Sequence, residues 1–289
     1  MRGSKAYRWA HLVLPEAAAG RLLQGMVRFP QVTRHRGLRG IASDMEDRKA
    51  FLREALELPD ACITASEFVR QVFVANGTTR PIQVTPYGHD LEWTQRYRGK
   101  TPSDVIRFGF VGQCSEPKGL HVLIQAARLL RERQDRDFRI VVYGNLNKSP
   151  SYGERVQVLA SGLPNIEFAG TYRHENSADV YSNIDVLVVP SLWYDFPLVI
   201  HEAFATKTPV IATNLAGMAE AVSDGVDGLL FERGSAGDLA EKMARVLRED
   251  RLLSEFRSSV PVVKTVREEV DGLLSTYASV SYRDAVMAS

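Results

Sequence analysis

The sequence predicts an α/β protein whose larger part is a doubly wound parallel sheet. From Asp104 onward, short β-branched runs alternate with segments of helical period, which is the pattern of repeated βαβ units. The first run, residues 105–111, has the composition of a buried strand. Further strands are predicted that complete a Rossmann-like sheet of six, at residues 138–143, 165–168, 184–189, 209–213 and 228–231.

The segment after the first predicted strand has the apolar spacing of an amphipathic helix. Arg128, Arg131 and Glu132 fall on its polar face. Its apolar face carries Leu120, Leu123, Ile124, Ala127 and Leu130. Strand and helix make one βα unit, and later helices are predicted to begin near Ser177, Leu198, Met218 and Asp238.

The part of the chain before residue 101 has fewer strand signals. Residues 60–65 and 82–85 are predicted strands, and residues 44–56 have helical character. Ser66 is placed to cap a helix that should stop near Gly77. No strand followed by a Gly-rich turn opens this region. We therefore expect a short, partial N-terminal α/β domain, a complete α/β domain and a closing helix, over residues 1–100, 101–270 and 271–289.

The composition is that of an ordinary soluble protein with two domains. The 289 residues are 45% hydrophobic and 25% charged, with a net charge of +1. This balance gives no global reason to expect a nucleic-acid partner. Cys62 and Cys114 are too few for a disulfide framework, and no apolar stretch is long enough to span a bilayer. We expect a cytoplasmic protein.

A basic stretch lies near the start of the chain. No acidic residue occurs between Glu16 and Asp44. The stretch contains Arg21, Arg28, Arg34, His35, Arg36 and Arg39. It is either a solvated loop or a site for an anionic acceptor or a membrane surface, so peripheral membrane contact stays open.

The first candidate site is the turn in FVGQCSEPKGL. Gly112 follows the first strand and lets the chain turn sharply, and Lys118 and Gly119 lie at the start of the next helix. Backbone amides and the positive helix end favour an anion there, and lysine suits phosphate. On spacing alone, Lys118 is either a phosphate contact or a solvated charge.

The second candidate site is the segment PSLWYDFPLVIHEAFATKTPVIAT. A loop after a buried strand carries Asp195. Phe196, Pro197 and Leu198 then present main-chain groups at a helix N-terminus, a ready place for a diphosphate. Glu202 falls in an apolar part of that helix, where a carboxylate needs hydrogen-bond donors. Two ribose hydroxyls would supply them, and an exposed helix glutamate is the plainer alternative.

The third candidate site is the loop in AGTYRHENSADVYSNIDVLVVPS. Gly170, Thr171 and Tyr172 follow a strand and are placed to flank a flat base, although Tyr172 also fits plain packing. His174 and His201 are interpreted as polar surface residues rather than ligands. No His and carboxylate cluster has metal-ligand spacing. All three candidate sites converge on one crevice, because the carboxyl ends of parallel strands share one edge of a sheet.

Taken together, FVGQCSEPKGLHVLIQA, YRHENSADVYSNIDVLVVPSLWYDFPLVIHEAFATKTPVIAT and AVSDGVDGLLFERGSAGDLAEKM resemble the donor domain of retaining glycosyltransferases of the GT-B fold, family 4 type. Upstream, DACITASEFVRQVF and IQVTPYGHD resemble the end of that family's first domain and its link to the second. The helix around residues 264–277 resembles the one that crosses back to the first domain. The resemblance implies a GT-B-like fold with a complete donor domain and an incomplete N-terminal, acceptor-side domain.

The resemblance also implies roles for individual residues. A lysine matching Lys118 contacts the donor diphosphate, and a glutamate matching Glu202 binds the ribose. Asp195 takes the place of an acidic residue that contacts the donor sugar, in a loop one residue shorter than usual. Gln113 stands where many members have arginine, and Lys207 where they have a glycine, so a left-handed backbone there would be strained. The implied catalytic residues are Asp195, Glu202 and Lys118, and the implied donor-binding residues are Gly112, Gln113, Lys118, Gly144, Thr171, Tyr172, Asp195, Phe196, Pro197, Leu198 and Glu202.

The function implied is transfer of a sugar, with retention, from a nucleotide diphosphate sugar to a glycan, lipid-linked or small-molecule acceptor. No metal or other cofactor is expected. Two alternatives stay open: a nucleotide-sugar-binding module without transfer activity of its own, and a scaffold that docks on membranes through the basic stretch. The short N-terminal domain also predicts a fragment of a longer chain, or self-association and pairing through strand edges near Ile63 and Ile82.

Overall fold

The computed structural model describes residues 51–133, 136–193 and 196–287, with side chains described through residue 280. The described residues fall into two compact units. One holds residues 51–62 and 73–81, and the other holds residues 63–72 and 82–287. The domain boundaries expected at residues 100 and 270 stay predictions. The basic stretch, including Arg21 and Arg39, lies outside the described residues.

Short elements precede the main domain. Ser66 caps the helix Glu67–Ala75 as predicted, because its Oγ accepts a hydrogen bond from the Val69 amide at 3.2 Å. Gly77 follows that helix with a φ of 90°, the left-handed conformation that commonly ends helices. Residues 51–56 are also helical. The elements of this region are β1 (Cys62–Thr64), α1 (Glu67–Ala75) and β2 (Ile82–Val84). Strands β1 and β2 pair in a two-stranded sheet.

A parallel sheet forms the centre of the larger unit. Its strands are β3 (Ile106–Val111), β4 (Phe138–Tyr143), β5 (Ile166–Gly170), β6 (Val186–Val189), β7 (Val210–Thr213) and β8 (Gly228–Phe231). They stand in the order β5-β4-β3-β6-β7-β8, and every neighbouring pair is parallel. The chain therefore starts in the middle of the sheet and winds first to one edge and then to the other. This confirms the predicted doubly wound, Rossmann-like α/β fold.

Helices cover both faces of this sheet. They are α2 (Leu120–Glu132), α3 (Pro150–Ala160), α4 (Ser177–Ser182), α5 (Leu198–Ala205), α6 (Ala216–Ala221), α7 (Ala236–Arg248) and α8 (Leu252–Ser259), and α9 (Val266–Met287) follows them in the chain. Helices α2, α3, α7 and α8 pack on one face, around Phe108 and Ile140. Helices α4, α5 and α6 pack on the other face, around Leu187 and Val210. The apolar stripe predicted for α2 is buried as expected.

The start of the last helix is held against the segment that follows β2. The His89 amide donates to the Lys264 carbonyl at 2.9 Å, and the Val266 amide donates to the His89 carbonyl at 3.2 Å. A Cβ on Gly88 would lie 2.2 Å from the carbonyl oxygen of Thr265, so a larger residue would push the two segments apart. Helix α9 thus begins within the span 264–277 expected for the closing helix.

Lys207 adopts the left-handed conformation for which glycine is favoured. Its φ is 53°, which costs free energy in any residue with a Cβ. Two contacts hold it in place: its amide donates to the Phe204 carbonyl at 2.9 Å, and its Nζ donates to the Val260 carbonyl at 2.7 Å.

No helix in the described part of the chain has both the length and the apolar character needed to cross a membrane.

Candidate functional site

The candidate site lies at the carboxyl ends of β3 and β6. These two strands are neighbours, but the helices that follow them, α2 and α5, cover opposite faces of the sheet. A crevice opens at such a switch point, where α/β proteins bind their ligands. Two adjoining cavities of 380 Å³ and 350 Å³ are found there. They share Val111, Gly112, Gln113 and Val199 as lining residues.

The first cavity has Lys118, in the turn before α2, on its wall. Gly119 has a φ of 71°, and a Cβ there would lie 1.8 Å from the carbonyl oxygen of Pro190. Only glycine fits this close approach. The Leu192 amide also donates to the Pro117 carbonyl at 2.8 Å. These contacts fix the turn that ends at Lys118 beside the end of β6.

Helix α3 holds the start of α2 from the other side. The His121 amide donates to Tyr152 Oη at 3.2 Å, and His121 Nδ1 lies 2.9 Å from the same oxygen. Arg155 donates to the Glu116 carboxylate at 2.8 Å. Burial lowers the pKa of His121 below its usual value, so this imidazole is neutral near pH 7 and adds no charge to the cavity.

The second cavity is floored by the ends of three neighbouring strands. Gly112, with a φ of 145°, donates its amide proton to the Tyr143 carbonyl at 3.0 Å, and Gly144 donates to the Gly170 carbonyl at 2.8 Å. A Cβ on Gly144 would lie 2.3 Å from the carbonyl oxygen of Gly112. The backbone turns after β3 and β4 are therefore packed directly on each other, with no room for a side chain.

The far wall of the second cavity is aromatic. Thr171 and Tyr172 line it together with Tyr143 and Asn145. The ring of Tyr172 meets the ring of Tyr143 edge to face, with centroids 5.9 Å apart. Burial raises the pKa of the Tyr172 phenol well above its usual value, so the residue is neutral. The wall is thus an apolar surface with polar groups at its edge, which suits a flat heterocycle.

Glu202 lies at the same cavity, half-buried in α5. Its Oε2 accepts a hydrogen bond from the hydroxyl of Tyr181 at 2.9 Å. Tyr181 is fully buried and also stacks on Trp93, with centroids 5.6 Å apart. Burial raises the pKa of the Glu202 carboxyl, and the Tyr181 hydrogen bond opposes that rise. The carboxylate is therefore held in one orientation at the edge of the cavity.

The start of α5 is held by stacked rings. The rings of Phe196 and His201 lie 4.8 Å apart and nearly parallel, and His89 stacks on His201 at 4.7 Å. His201 Nδ1 lies 3.2 Å from the Pro197 carbonyl, to which it donates as the Nδ1–H tautomer. Burial lowers the pKa of His201 and lowers that of His89 to about 4. The interpretation of His201 as a surface residue was therefore wrong, because it packs between rings, whereas His174 is exposed.

The structure brings most of the predicted donor-binding residues together. Gly112, Gln113, Lys118, Gly144, Thr171, Tyr172 and Glu202 line the two cavities. Pro197 and Leu198 form the start of α5. The Phe196 ring stacks on the ring of His201, which itself hydrogen-bonds to the Pro197 carbonyl. Asp195 lies outside the described residues. Within the ranges described, no group of three or more His, Cys, Asp or Glu side chains is arranged to hold a metal ion.

Sequence reasoning missed several residues of the site. Lys148 and Asn145 line the second cavity from the turn after β4, and Tyr181 orients Glu202. The position of Lys148 had a signal, because GNLNKSP follows a predicted strand as FVGQCSEPKGL does. The pairing of Tyr181 with Glu202 had none, because the two residues lie on different helices and meet only in the folded chain.

Comparison with known proteins finds similarity to glycosyltransferases. Residues 106–249 match the family model described as glycosyl transferases group 1. The chain is 31% identical over 219 residues to the D-inositol 3-phosphate glycosyltransferase of Paenarthrobacter aurescens, covering 67% of this chain and 53% of that protein. It is 27% identical over 177 residues to the capsular polysaccharide biosynthesis glycosyltransferase CapM of Staphylococcus aureus, covering 61% and 46%. The chain spans about half the length of these relatives.

A solved structure supports the fold. The chain superposes on the Anabaena protein HepE in complex with UDP and glucose with a TM-score of 0.66, at 20% identity, covering 82% of this chain and 69% of that one. The parallel sheet thus has the fold of the corresponding part of that structure. Residues 106–249, here called the group 1 domain, are similar to the family model of glycosyl transferases group 1.

Proposed function

We propose that the protein transfers a sugar, with retention at the anomeric carbon, from a nucleotide diphosphate sugar to a glycan, a lipid-linked acceptor or a small molecule. The relatives it matches are glycosyltransferases by name, and HepE was solved with UDP and glucose. The base and ribose would occupy the second cavity, and the diphosphate and sugar the first. No metal is needed in this proposal.

The observation that carries the proposal is the setting of Glu202. A carboxylate held by Tyr181 at 2.9 Å keeps further acceptor capacity for a ligand. It lines the same cavity as Tyr172, whose ring forms part of an aromatic wall. A nucleoside presents both complements, a flat base and two neighbouring hydroxyls. A carboxylate next to an aromatic wall therefore favours a nucleoside over a simple anion.

Catalysis would come from positioning and from stabilising the leaving diphosphate. Lys118 and the first amides of α5, near Pro197 and Leu198, would face the negative charge that develops as the glycosidic bond breaks. The acceptor hydroxyl would attack on the side that the diphosphate leaves, which gives retention without a protein nucleophile. Closure of the cleft would keep water from the donor.

Thermal unfolding with UDP, GDP and ADP tests donor binding first. A nucleotide at a hundred times its Kd adds about 2.7 kcal/mol to the free energy of unfolding, so one of the three should raise the melting temperature clearly. The matching nucleotide sugars then serve as donors in a transfer assay. Proton NMR of the product should give the same anomeric configuration as the donor, and inversion would contradict retention.

Asp195 is proposed to contact the donor sugar, since it precedes the start of α5 by only a few residues. Asp195→Asn should therefore weaken binding of the nucleotide sugar and slow transfer, while affinity for the bare nucleoside diphosphate stays close to that of the wild type. Calorimetry with the two ligands measures the difference. Equal losses for both ligands would reject the sugar contact.

A second candidate function is nucleotide-sugar binding without transfer. The residues that line the two cavities all fall between Phe110 and Glu202, so donor binding needs only the group 1 domain. Light scattering on the preparation used for the transfer assay reports whether the chain also self-associates. Binding without transfer would favour this second function. Salt-sensitive binding to anionic liposomes would instead support membrane contact through the basic stretch.

A further inference from the structure

The charges that line the two cavities are few. Among the described lining residues, the charged side chains are Lys118 in the first cavity and Lys148 and Glu202 in the second. Gln113, between the two cavities, is neutral. His121 is close to Lys118 in the chain but is kept neutral by burial. A doubly charged diphosphate over the shared floor, at Gly112 and Gln113, would have one cavity with a lysine on each side of it.

The turn that carries Lys148 is held in place by its surroundings. Asn145 accepts a hydrogen bond from the Asn147 amide at 2.8 Å through its side-chain oxygen. A Cβ on Gly153 of α3 would lie 2.4 Å from the carbonyl oxygen of Leu146, so α3 packs directly on the turn. Lys148 thus lines the second cavity from a fixed backbone just before α3, and its ammonium is carried on a flexible stem.

We infer that Lys148 is a donor-binding residue, which neutralises the diphosphate from the nucleoside side while Lys118 does so from the α2 side. This inference rests on the proposed function and adds to it a second cation from the loop after β4. It explains how the site holds a diphosphate although position 113 carries no charge. The alternative is that Lys148 is a solvated surface lysine without a part in binding.

Calorimetry separates the two possibilities. The ligands are the best-binding nucleoside diphosphate of UDP, GDP and ADP, the corresponding nucleoside, and inorganic pyrophosphate. Lys148→Gln should lower the affinity for the nucleoside diphosphate and for pyrophosphate by about threefold to tenfold. This is the range for a charge-assisted contact at a partly exposed site. Affinity for the nucleoside should not change. Lys148→Arg should keep most of the affinity for the diphosphate.

A matched control and a rescue variant sharpen the test. Lys242→Gln removes the same charge from α7, at a residue that lines neither cavity, and should leave all three affinities unchanged. Gln113→Arg places a guanidinium on the shared floor, so it should restore diphosphate affinity to the Lys148→Gln protein. Restoration would identify the lost interaction as charge on the phosphates rather than as a change in the turn.

The other possible results distinguish the inference on Lys148 from the proposed function. Unchanged diphosphate affinity in Lys148→Gln would overturn the inference and leave the proposed function standing. An equal loss of affinity for the nucleoside and the nucleoside diphosphate would also overturn it, because Lys148 would then contact the nucleoside rather than the phosphates. Pyrophosphate binding that depends on Lys148, with no gain from any nucleoside, would keep Lys148 as a phosphate contact but reject both its role in donor binding and the proposed function. No binding by the wild type would reject both.

Discussion

The group 1 domain and the elements before it differ in how far their apolar residues are buried. In the domain, α2 buries seven residues against a sheet that is itself covered on both faces. In the preceding region, α1 buries none, although its sequence is amphipathic. Ile63 of β1 and Val72 of α1 are 48% and 43% exposed. The two cavities are therefore lined by the region with the larger core, between Phe110 and Glu202, whereas the preceding segment contributes His89 and Trp93, which pack behind the site.

The largest expected effect tests this difference with two matched substitutions. Phe108 is fully buried in β3, whereas Phe73 of α1 is 37% exposed. Phe108→Ala should lower the free energy of unfolding by about 3–5 kcal/mol, and Phe73→Ala by less than about 1 kcal/mol. Urea titration measures both values. Similar losses in the two variants would mean that the preceding region has a core of its own.

The sequence predicted the group 1 domain better than the region before it, for a physical reason. Strands buried on both faces are nearly continuous apolar runs, so β3, β4, β7 and β8 were placed within a residue of their observed bounds. β5 stands at the edge of the sheet and is mostly exposed, and its predicted bounds, 165–168, missed its end at Gly170. The apolar signal follows burial rather than position in the sheet, because β8 stands at the other edge but is mostly buried.

The sequence indicated those parts of the candidate site that are formed by local backbone structure. Turns that follow strands and helix N-termini are visible in sequence, which located Gly112, Lys118 and Pro197. Contacts between distant segments are not visible, since they arise from the topology of the sheet. The Tyr181–Glu202 hydrogen bond and the stack of His89 on His201 belong to this class. Reading His201 as a surface residue failed for the same reason.

The next effect concerns ligand binding alone. Hydrogen bonds to a charged group contribute about 1.5–3 kcal/mol, so Glu202→Ala should weaken nucleoside diphosphate binding about tenfold to a hundredfold. Calorimetry on the folded variant measures this. Phe73→Ala serves as the control from the preceding region and should bind as the wild type does. Unchanged affinity in Glu202→Ala would remove the ribose assignment.

A smaller effect follows from the pKa of Glu202. Burial raises the pKa of this carboxyl above its value in the unfolded chain, so the folded state holds the proton more tightly. The group therefore favours folding below the unfolded pKa, and this contribution is lost as pH rises through the folded pKa. Glu202→Gln, which keeps an acceptor for Tyr181, should be more stable than the wild type at pH 7. The gain should shrink as the pH is lowered to about 4.

Thermal unfolding of both proteins across this range measures the gain. A gain that grows as pH falls would contradict the assigned direction of the shift. The same variant should bind the nucleotide less well at pH 7, because a neutral amide accepts weaker hydrogen bonds from the ribose than a carboxylate does. Stability and binding would then move in opposite directions at one residue.

The smallest expected effect is that of removing metal ions. The described residues hold no cluster suited to a metal, and the proposed charge neutralisation uses lysines and helix amides. EDTA should therefore leave the Kd of the nucleoside diphosphate unchanged within error. A loss of binding that manganese or magnesium restores would show that the ligand, or a part of the chain outside the described residues, brings in a metal.

A crystal structure of this chain with its preferred nucleoside diphosphate tests the central claim most directly. We expect ribose hydroxyls within about 3 Å of the Glu202 carboxylate, the base against Tyr172, and phosphates over Gly112 and Gln113 within reach of Lys118. A nucleotide bound away from the carboxyl ends of β3 and β6, or one whose ribose does not meet Glu202, would contradict it.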